Sequence, residues 1–335
     1  MESSSTAAWF ARRTHQWGDW SLEDLVRAKQ EHGTTVSLVV PARNEAATVG
    51  AVVGRVREAL VDTRSLLDEI VVIDSDSDDA TYDVATDAGA TVHRSAEIRP
   101  DLGSFPGKGE AMWKSLFVTR GDVLVFMDAD LVDWDTHFVP GLLGPLLTDP
   151  SVQLVKGFYE RPLLDGGAPG GGTRAQHPPP GATRNGTRAY EGGRVTELVA
   201  RPLIALLFPE LTGLVQPLAG EWAVRRSTFA RLSVPTGYAV ELAALVDLVR
   251  VEGIDAVAQV DLGRRAHRHQ ALRDLGAMAA QIMAAAHRRS DLATKDDVVA
   301  LHQFHPGTGH AEPVERPVHV EERPAAEPFL EEQQG

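Results

Sequence analysis

Three apolar runs set the fold class of this chain. Val36–Val40, Glu69–Ile73 and Val123–Met127 are rich in β-branched residues, and each stops abruptly at polar positions. Between them the spacing turns helical. Val49, Val52, Val53, Val56 and Leu60 share one face over Glu45–Leu60. Thr81–Ala88 reads as a second helix, ended by Gly89, and Glu110–Thr119 as a third, with Met112, Leu116 and Phe117 along one side. Ala90–His93 adds a short strand. Strands and helices in this alternation build βαβ units and a mainly parallel α/β sheet. Ligands on such sheets sit at the carboxyl ends of the strands. The residues after Val40, Ile73 and Met127 are therefore the first candidates for a site.

The rest of the chain divides by composition. Residues 1–35 read as an arm with one short helix, Leu22–Lys29, capped by Ser21. Residues 36–163 form the strand–helix half. Residues 164–191 form a flexible Gly/Pro-rich insertion, and 301–335 a Pro/Glu-rich, disordered tail. Between these two, 192–300 carries helices at Val195–Leu207, Val240–Val251 and Leu272–Arg289 and a strand at Val257–Val260.

Composition removes several function classes. The 335 residues contain no Cys, which excludes disulfides, thiolate metal sites and a Cys nucleophile. With 33 basic against 47 acidic residues the net charge is −14, which disfavours nucleic acid. An anionic ligand must then be held by a local donor cluster working against the overall field. The Ser-rich start has no apolar core of a signal peptide. Leu198–Leu211 is broken by Arg201, Pro202, Pro209 and Glu210 and cannot span a bilayer. The expectation is a cytoplasmic protein without membrane insertion.

Several constellations can carry chemistry. Asp128-Ala129-Asp130 closes the third apolar run, and two carboxylates at a strand mouth suit one hard divalent cation, although Asp ends many strands as an ordinary polar cap. Pro41-Ala42-Arg43-Asn44-Glu45 follows the first run and suits a base or ribose, or else a plain helix start capped by Asn44. Asp74 leads an acid-and-hydroxyl loop in which Asp76, Asp78 and Asp79 read as a solvated turn. Pro106-Gly107-Lys108-Gly109-Glu110 precedes a helix. Its glycines let backbone N–H groups approach an anion, and Lys108 adds a point charge. Gly192-Gly193-Arg194-Val195-Thr196 is a second such turn, with a forked donor and a hydroxyl. Arg264–His269 is a basic cluster in an acidic chain, where His267 is a candidate ligand. Glu221 and Glu241 suit either a substrate hydroxyl or a structural ion pair. His302, His305 and His310 read as loop composition.

Together these segments resemble the retaining nucleotide-sugar transferases of the GT-A fold, and most closely the glucosyl-3-phosphoglycerate synthases. The resemblance is carried, in order, by VSLVVPARNEAATV, EIVVIDSDSDDAT, FPGKGEAMWKSL, GDVLVFMDADLV, GGRVTELVARPL, QPLAGEWAVRR, GYAVELAALVD and VDLGRRAHRHQAL. It implies a GT-A sheet with a C-terminal acceptor-binding part. It implies a nucleotide-sugar wall of Pro41, Ala42, Arg43, Glu45 and Ser75, with Gly107, Lys108, Asp128 and Ala129 completing the donor contacts. The metal ligands are then Asp130 and His267, for Mg²⁺ or Mn²⁺. The acceptor contacts are Gly193, Arg194 and Thr196, with His269 in place of an Asn, and Ala129 replaces a Ser. Asp128, Lys108 and Glu221 are the implied catalytic set. The implied partners are UDP-glucose and 3-phosphoglycerate, and the implied assembly is a homodimer. Rival readings are a mannosyl-3-phosphoglycerate synthase using GDP-mannose, a polyprenyl-phosphate glycosyltransferase, a nucleotidyltransferase and a silent binding module.

Overall fold

A computed structural model describes residues 2–160, 193–265, 272–290, 298–306 and 311–332. The chain opens with α1 (Glu2–Arg13), β1 (Thr14–Gln16) and α2 (Leu22–His32). The alternating half follows: β2 (Val36–Ala42), α3 (Val49–Val56), β3 (Glu69–Asp74), α4 (Thr81–Asp87), β4 (Thr91–Arg94), α5 (Lys108–Ser115) and β5 (Val123–Phe126). Then come α6 (Phe138–Thr148), β6 (Leu154–Glu160), α7 (Arg201–Leu207), β7 (Trp222–Arg225), α8 (Arg226–Ala230), β8 (Val234–Pro235), α9 (Val240–Glu252) and β9 (Val257–Arg264). The last elements are α10 (Leu272–Arg288), β10 (Val298–Pro306), β11 (Ala311–His319), β12 (Glu322–Arg323) and α11 (Glu327–Glu332).

One sheet of eight strands runs β1-β9-β6-β7-β5-β2-β3-β4. All its pairings are parallel except those of β7 with β5 and β6. Both faces are buried, so successive residues of a strand feed opposite cores. On β5, Leu124 and Phe126 join the core under α5, α8 and α9, while Val123 and Val125 join the core under α2, α3 and α6. This explains why β2, β3 and β5 read as unbroken apolar runs. Among the described residues no helix is long and apolar enough to cross a membrane.

Both chain ends depart from the sequence expectation. The arm adds an edge strand, with β1 pairing in parallel with β9. It is anchored by Trp9, which is buried and donates its indole N–H to Ile254 O at 2.9 Å. The tail, expected to be disordered, contains an antiparallel β10–β11 hairpin, and β12 pairs with β8. Ala326 and Arg323 are buried there. The reason is the same at both ends. A few anchoring side chains hold a segment whose average composition is polar, and an average does not register them. The 164–191 insertion lies outside the described residues.

Candidate active site

The first wall forms where β2 and β3 end side by side, with Ala42 opposite Asp74. Ser75 N donates to Ala42 O at 2.9 Å and ties the two loops together. Asn44 adopts a left-handed backbone (φ 58°). Its N donates to Ser77 Oγ at 2.9 Å and its Oδ1 accepts from Asp78 N at 3.0 Å. Asn44 therefore stitches the loops rather than capping α3, which begins after Thr48. Asp79 is likewise more than a solvated acid. It accepts from Ala46 N and from Thr81, whose hydroxyl holds its carboxyl below the usual range. Pro41, Ala42, Arg43, Glu45 and Ser75 are thus brought together at one sheet end, with Arg43 exposed and Ala42 buried. Asp74 is fully buried; one oxygen accepts from Ser77 N, and the other has no hydrogen-bond partner among the described residues.

The second wall is the turn into α5. Gly107 sits at φ 136°, a backbone region that side chains rarely adopt. A Cβ on Gly109 would lie 1.8 Å from Pro235 O. Gly109 N donates to Gly237 O at 3.2 Å and Glu110 N to Thr236 O at 2.8 Å. The turn is therefore pressed against the 235–237 backbone, and Lys108 projects from it. Its ammonium meets Asp128 Oδ1 at 2.6 Å and Glu241 Oε1 at 3.0 Å. Burial opposes its charge, yet Asp128 and Glu241 outweigh this and hold its pKa above the ordinary lysine value.

The centre of the site is a carboxylate cluster around Arg265. One guanidinium nitrogen, Nη2, meets Asp128 Oδ2 at 3.0 Å and Asp130 Oδ1 at 3.3 Å. The other, Nη1, meets Glu221 Oε2 at 2.7 Å and the Tyr159 hydroxyl. Burial favours a neutral Asp128, but Lys108 and Arg265 override it and keep the carboxyl well below the usual range. Asp130 moves the other way: burial and repulsion from Asp128 raise it. Glu221 is also raised, chiefly by burial, and its Oε1 is enclosed without a hydrogen-bond partner among the described residues. Ala129 is buried in the core.

The 193–196 turn leads into α7. Thr196 is buried, Gly193 half-buried and Arg194 exposed. His267 and His269 lie outside the described residues.

A family model, Glycosyl transferase family 2, matches residues 37–169. A glucosyl-3-phosphoglycerate synthase from Mycolicibacterium paratuberculosis is 45% identical over 88% of this chain and 83% of its own. The chain belongs to the glucosyl-3-phosphoglycerate synthase family. It is a glycosyltransferase with the GT-A sheet. Two solved structures of the glucosyl-3-phosphoglycerate synthase from Mycobacterium tuberculosis superpose with TM-scores of 0.79, each match covering 95% of this chain and 99% of the other. One, 38% identical, holds Mn²⁺, UDP-glucose and phosphoglyceric acid; the other, 39% identical, holds Mg²⁺ and UDP.

Within this family member, two residues central to the site carried no specific signal in the sequence. Arg265 was one cation in a basic cluster, and its partners Asp128 and Asp130 are over a hundred positions away. Glu241 stood as a possible ion-pair partner, and the structure makes it one, on Lys108. Asp128 and Asp130 offer oxygen donors of the kind that suit a hard divalent cation, and among the described residues Lys108 and Arg265 are the cations that touch them. Asp130 keeps 36% of its side chain exposed, and its raised pKa reflects burial first and the neighbouring Asp128 charge second. Among the described residues no group of three His, Asp or Glu is arranged as a complete metal site.

Proposed function

We propose that this chain transfers glucose from UDP-glucose to the 2-hydroxyl of 3-phosphoglycerate with retention of the anomeric configuration. The observation that carries this reading is the Lys108–Asp128–Arg265 array, buried at Arg265 and half-buried at the other two, beside a Gly-rich turn at the carboxyl ends of the strands. The Pro41–Glu45 and Ser75 wall takes the uridine, and Gly107 with Lys108 takes the diphosphate. Asp128 and Ala129 lie on the sugar side. Asp130, with His267, holds Mg²⁺ or Mn²⁺. Bound there, the cation supplies positive charge to the departing diphosphate.

The residues then divide the work. Lys108 neutralises developing charge on the leaving group from a water-poor position. Gly193, Arg194 and Thr196, with His269, hold the acceptor phosphate and carboxylate. Glu221, paired with Arg265, stands on the acceptor side of the cluster. In the transfer the bond from the anomeric carbon to the phosphate oxygen breaks, and its electron pair leaves on UDP. The 2-hydroxyl oxygen bonds that carbon on the same face, and its proton passes to the departing phosphate oxygen. Asp128 is engaged by both Lys108 and Arg265, which suits an electrostatic role.

The cytoplasm is the proposed location, and a homodimer the proposed assembly. Exposed Leu198, Leu206 and Met283 on and beside α7 and α10 support the dimer, and sedimentation velocity tests it. The reaction is tested by measuring nucleotide release from UDP-glucose and GDP-mannose, with and without divalent metal and 3-phosphoglycerate. UDP release that needs both is expected. Preference for GDP-mannose would reassign the donor, and release without 3-phosphoglycerate dependence would remove the acceptor assignment.

A further inference from the structure

The C-terminal segment is plugged into the back of the diphosphate turn. Arg323 is buried, and its Nε and Nη2 donate to the two oxygens of Glu110 at 2.8 and 2.6 Å. Its Nη1 donates to Leu102 O at 2.6 Å and its Nη2 also to Gly103 O at 3.1 Å. The guanidinium lies over the rings of Phe105 and Trp113, at 4.5 and 4.8 Å from their centroids. Glu110 Oε1 accepts in turn from Phe105 N at 3.3 Å. One side chain therefore grips both flanks of the turn that carries Lys108.

The surrounding backbone closes the same circuit. Thr236 N donates to Glu321 O at 3.1 Å, and Thr236 O accepts from Glu110 N at 2.8 Å. Trp113 Nε1 donates to Pro324 O at 2.9 Å. A planar fork on a buried carboxylate fixes orientation as well as distance, which an ammonium cannot do. Glu110 is fully enclosed, and without Arg323 its charge would face the Lys114 ammonium at 3.8 Å with no hydrogen-bonded cation.

We propose that Arg323 is a positioning residue for the nucleotide donor. Through Glu110 it sets the path of the Leu102–Lys108 backbone, so that Gly107 and Lys108 meet the diphosphate. The inference rests on the reading of Lys108 as a diphosphate contact. Asp128 and Glu241 aim the ammonium of Lys108, but the turn decides where its backbone stands. A misplacement of about 1 Å by a remote change costs up to about a hundredfold in function.

The test is UDP titration of the full chain with Mn²⁺, alongside KM for UDP-glucose and for 3-phosphoglycerate. Arg323→Lys keeps the charge and loses the fork. It is expected to raise the UDP dissociation constant and the UDP-glucose KM by about tenfold, with the 3-phosphoglycerate KM unchanged. Phe329→Ala loosens α11 from Trp113 without touching the fork, and is expected to lower Tm with UDP affinity unchanged. Unaltered UDP affinity in folded Arg323→Lys, or equal rises in both KM values, would overturn the proposal. Should Arg323→Lys not fold, Glu110→Gln weakens the same fork from its other side by removing the charge, and unchanged UDP affinity there overturns it equally. Lys108→Ala separates the two levels. If it binds UDP as the parent does, the Lys108 reading itself fails; if it loses UDP while Arg323→Lys does not, only the positioning role fails.

Discussion

The Gly107–Glu110 turn and the cluster around Arg265 meet at Lys108 but are held by different forces. The turn is held by shape. Its glycines allow the backbone to touch the 235–237 segment, and neutral N–H donors make the contacts. The cluster is held by charge. One guanidinium joins carboxylates from the ends of β5 and β7, with little water between. The first should fail on a single methyl where it meets the 235–237 backbone, with charge entering only behind it, in the Arg323–Glu110 fork. The second should tolerate the loss of one carboxylate and fail when its central cation goes.

The largest expected effect breaks the charge-held side at its centre. Arg265→Met leaves the buried Glu221 against an apolar chain and Asp128 with Lys108 alone. Stability should fall by about 3–5 kcal/mol, and activity should vanish with it. Denaturant unfolding measures this. A loss under 1 kcal/mol, on the order of what a surface pair contributes, would mean that water reaches the cluster.

Asp130→Ala tests the same side at its edge. Burial and the Asp128 charge both oppose ionised Asp130, so its removal relieves that strain and should leave Tm unchanged or slightly raised. Turnover should nevertheless fall by roughly a thousandfold, because a metal ligand at the leaving group is lost. Thermal melts with and without Mn²⁺ provide the check: the parent should be stabilised by the ion and the variant should not. A variant still stabilised by Mn²⁺ would move the metal elsewhere.

Gly109→Ala addresses the shape-held side. The added carbon would sit 1.8 Å from Pro235 O, so the turn must shift. UDP affinity should drop by about ten- to a hundredfold while the charge of the site is unchanged. Arg265 contacts should survive, which a retained Mn²⁺ shift in Tm would report. If UDP binds normally, the turn is more compliant than its backbone contacts imply.

The same contrast governs what was legible in the sequence. β2, β3 and β5 were readable because a strand buried on both faces must be apolar throughout. β6 and β7 were not, since Lys156 and Gly157 interrupt one and the other is a four-residue antiparallel strand. Lys156 shows why charge is a poor guide there. It is buried, it donates to Ala219 O, and burial lowers its pKa to about 8. The Gly-rich turn was legible because backbone geometry writes itself locally, as glycines beside a lysine. Arg265 and Arg323 act through partners 135 and 213 positions away, and nothing near either marks which carboxylate it will find.

An exposed charge contact far from the site sharpens the comparison from the other end. Asp149 accepts from Ser151 and pairs with Arg13 Nη1 at 2.6 Å, docking the arm onto the end of α6. The Ser151 hydroxyl, then Arg13, hold its carboxyl at about 2, against 3.8 unperturbed. A folded pKa below the unfolded one means that the contribution is present at neutral pH and is lost as pH falls from about 4 through about 2. Asp149 keeps 41% of its side chain in water, so screening cuts the contribution to about 1 kcal/mol. Asp149→Asn should therefore cost about that much at pH 6, less at pH 3, and nothing in turnover. Paired unfolding curves at the two pH values decide it. A pH-independent difference would assign the contact to the neutral hydrogen bond with Ser151, and the arm would then be held, like the turn, by shape.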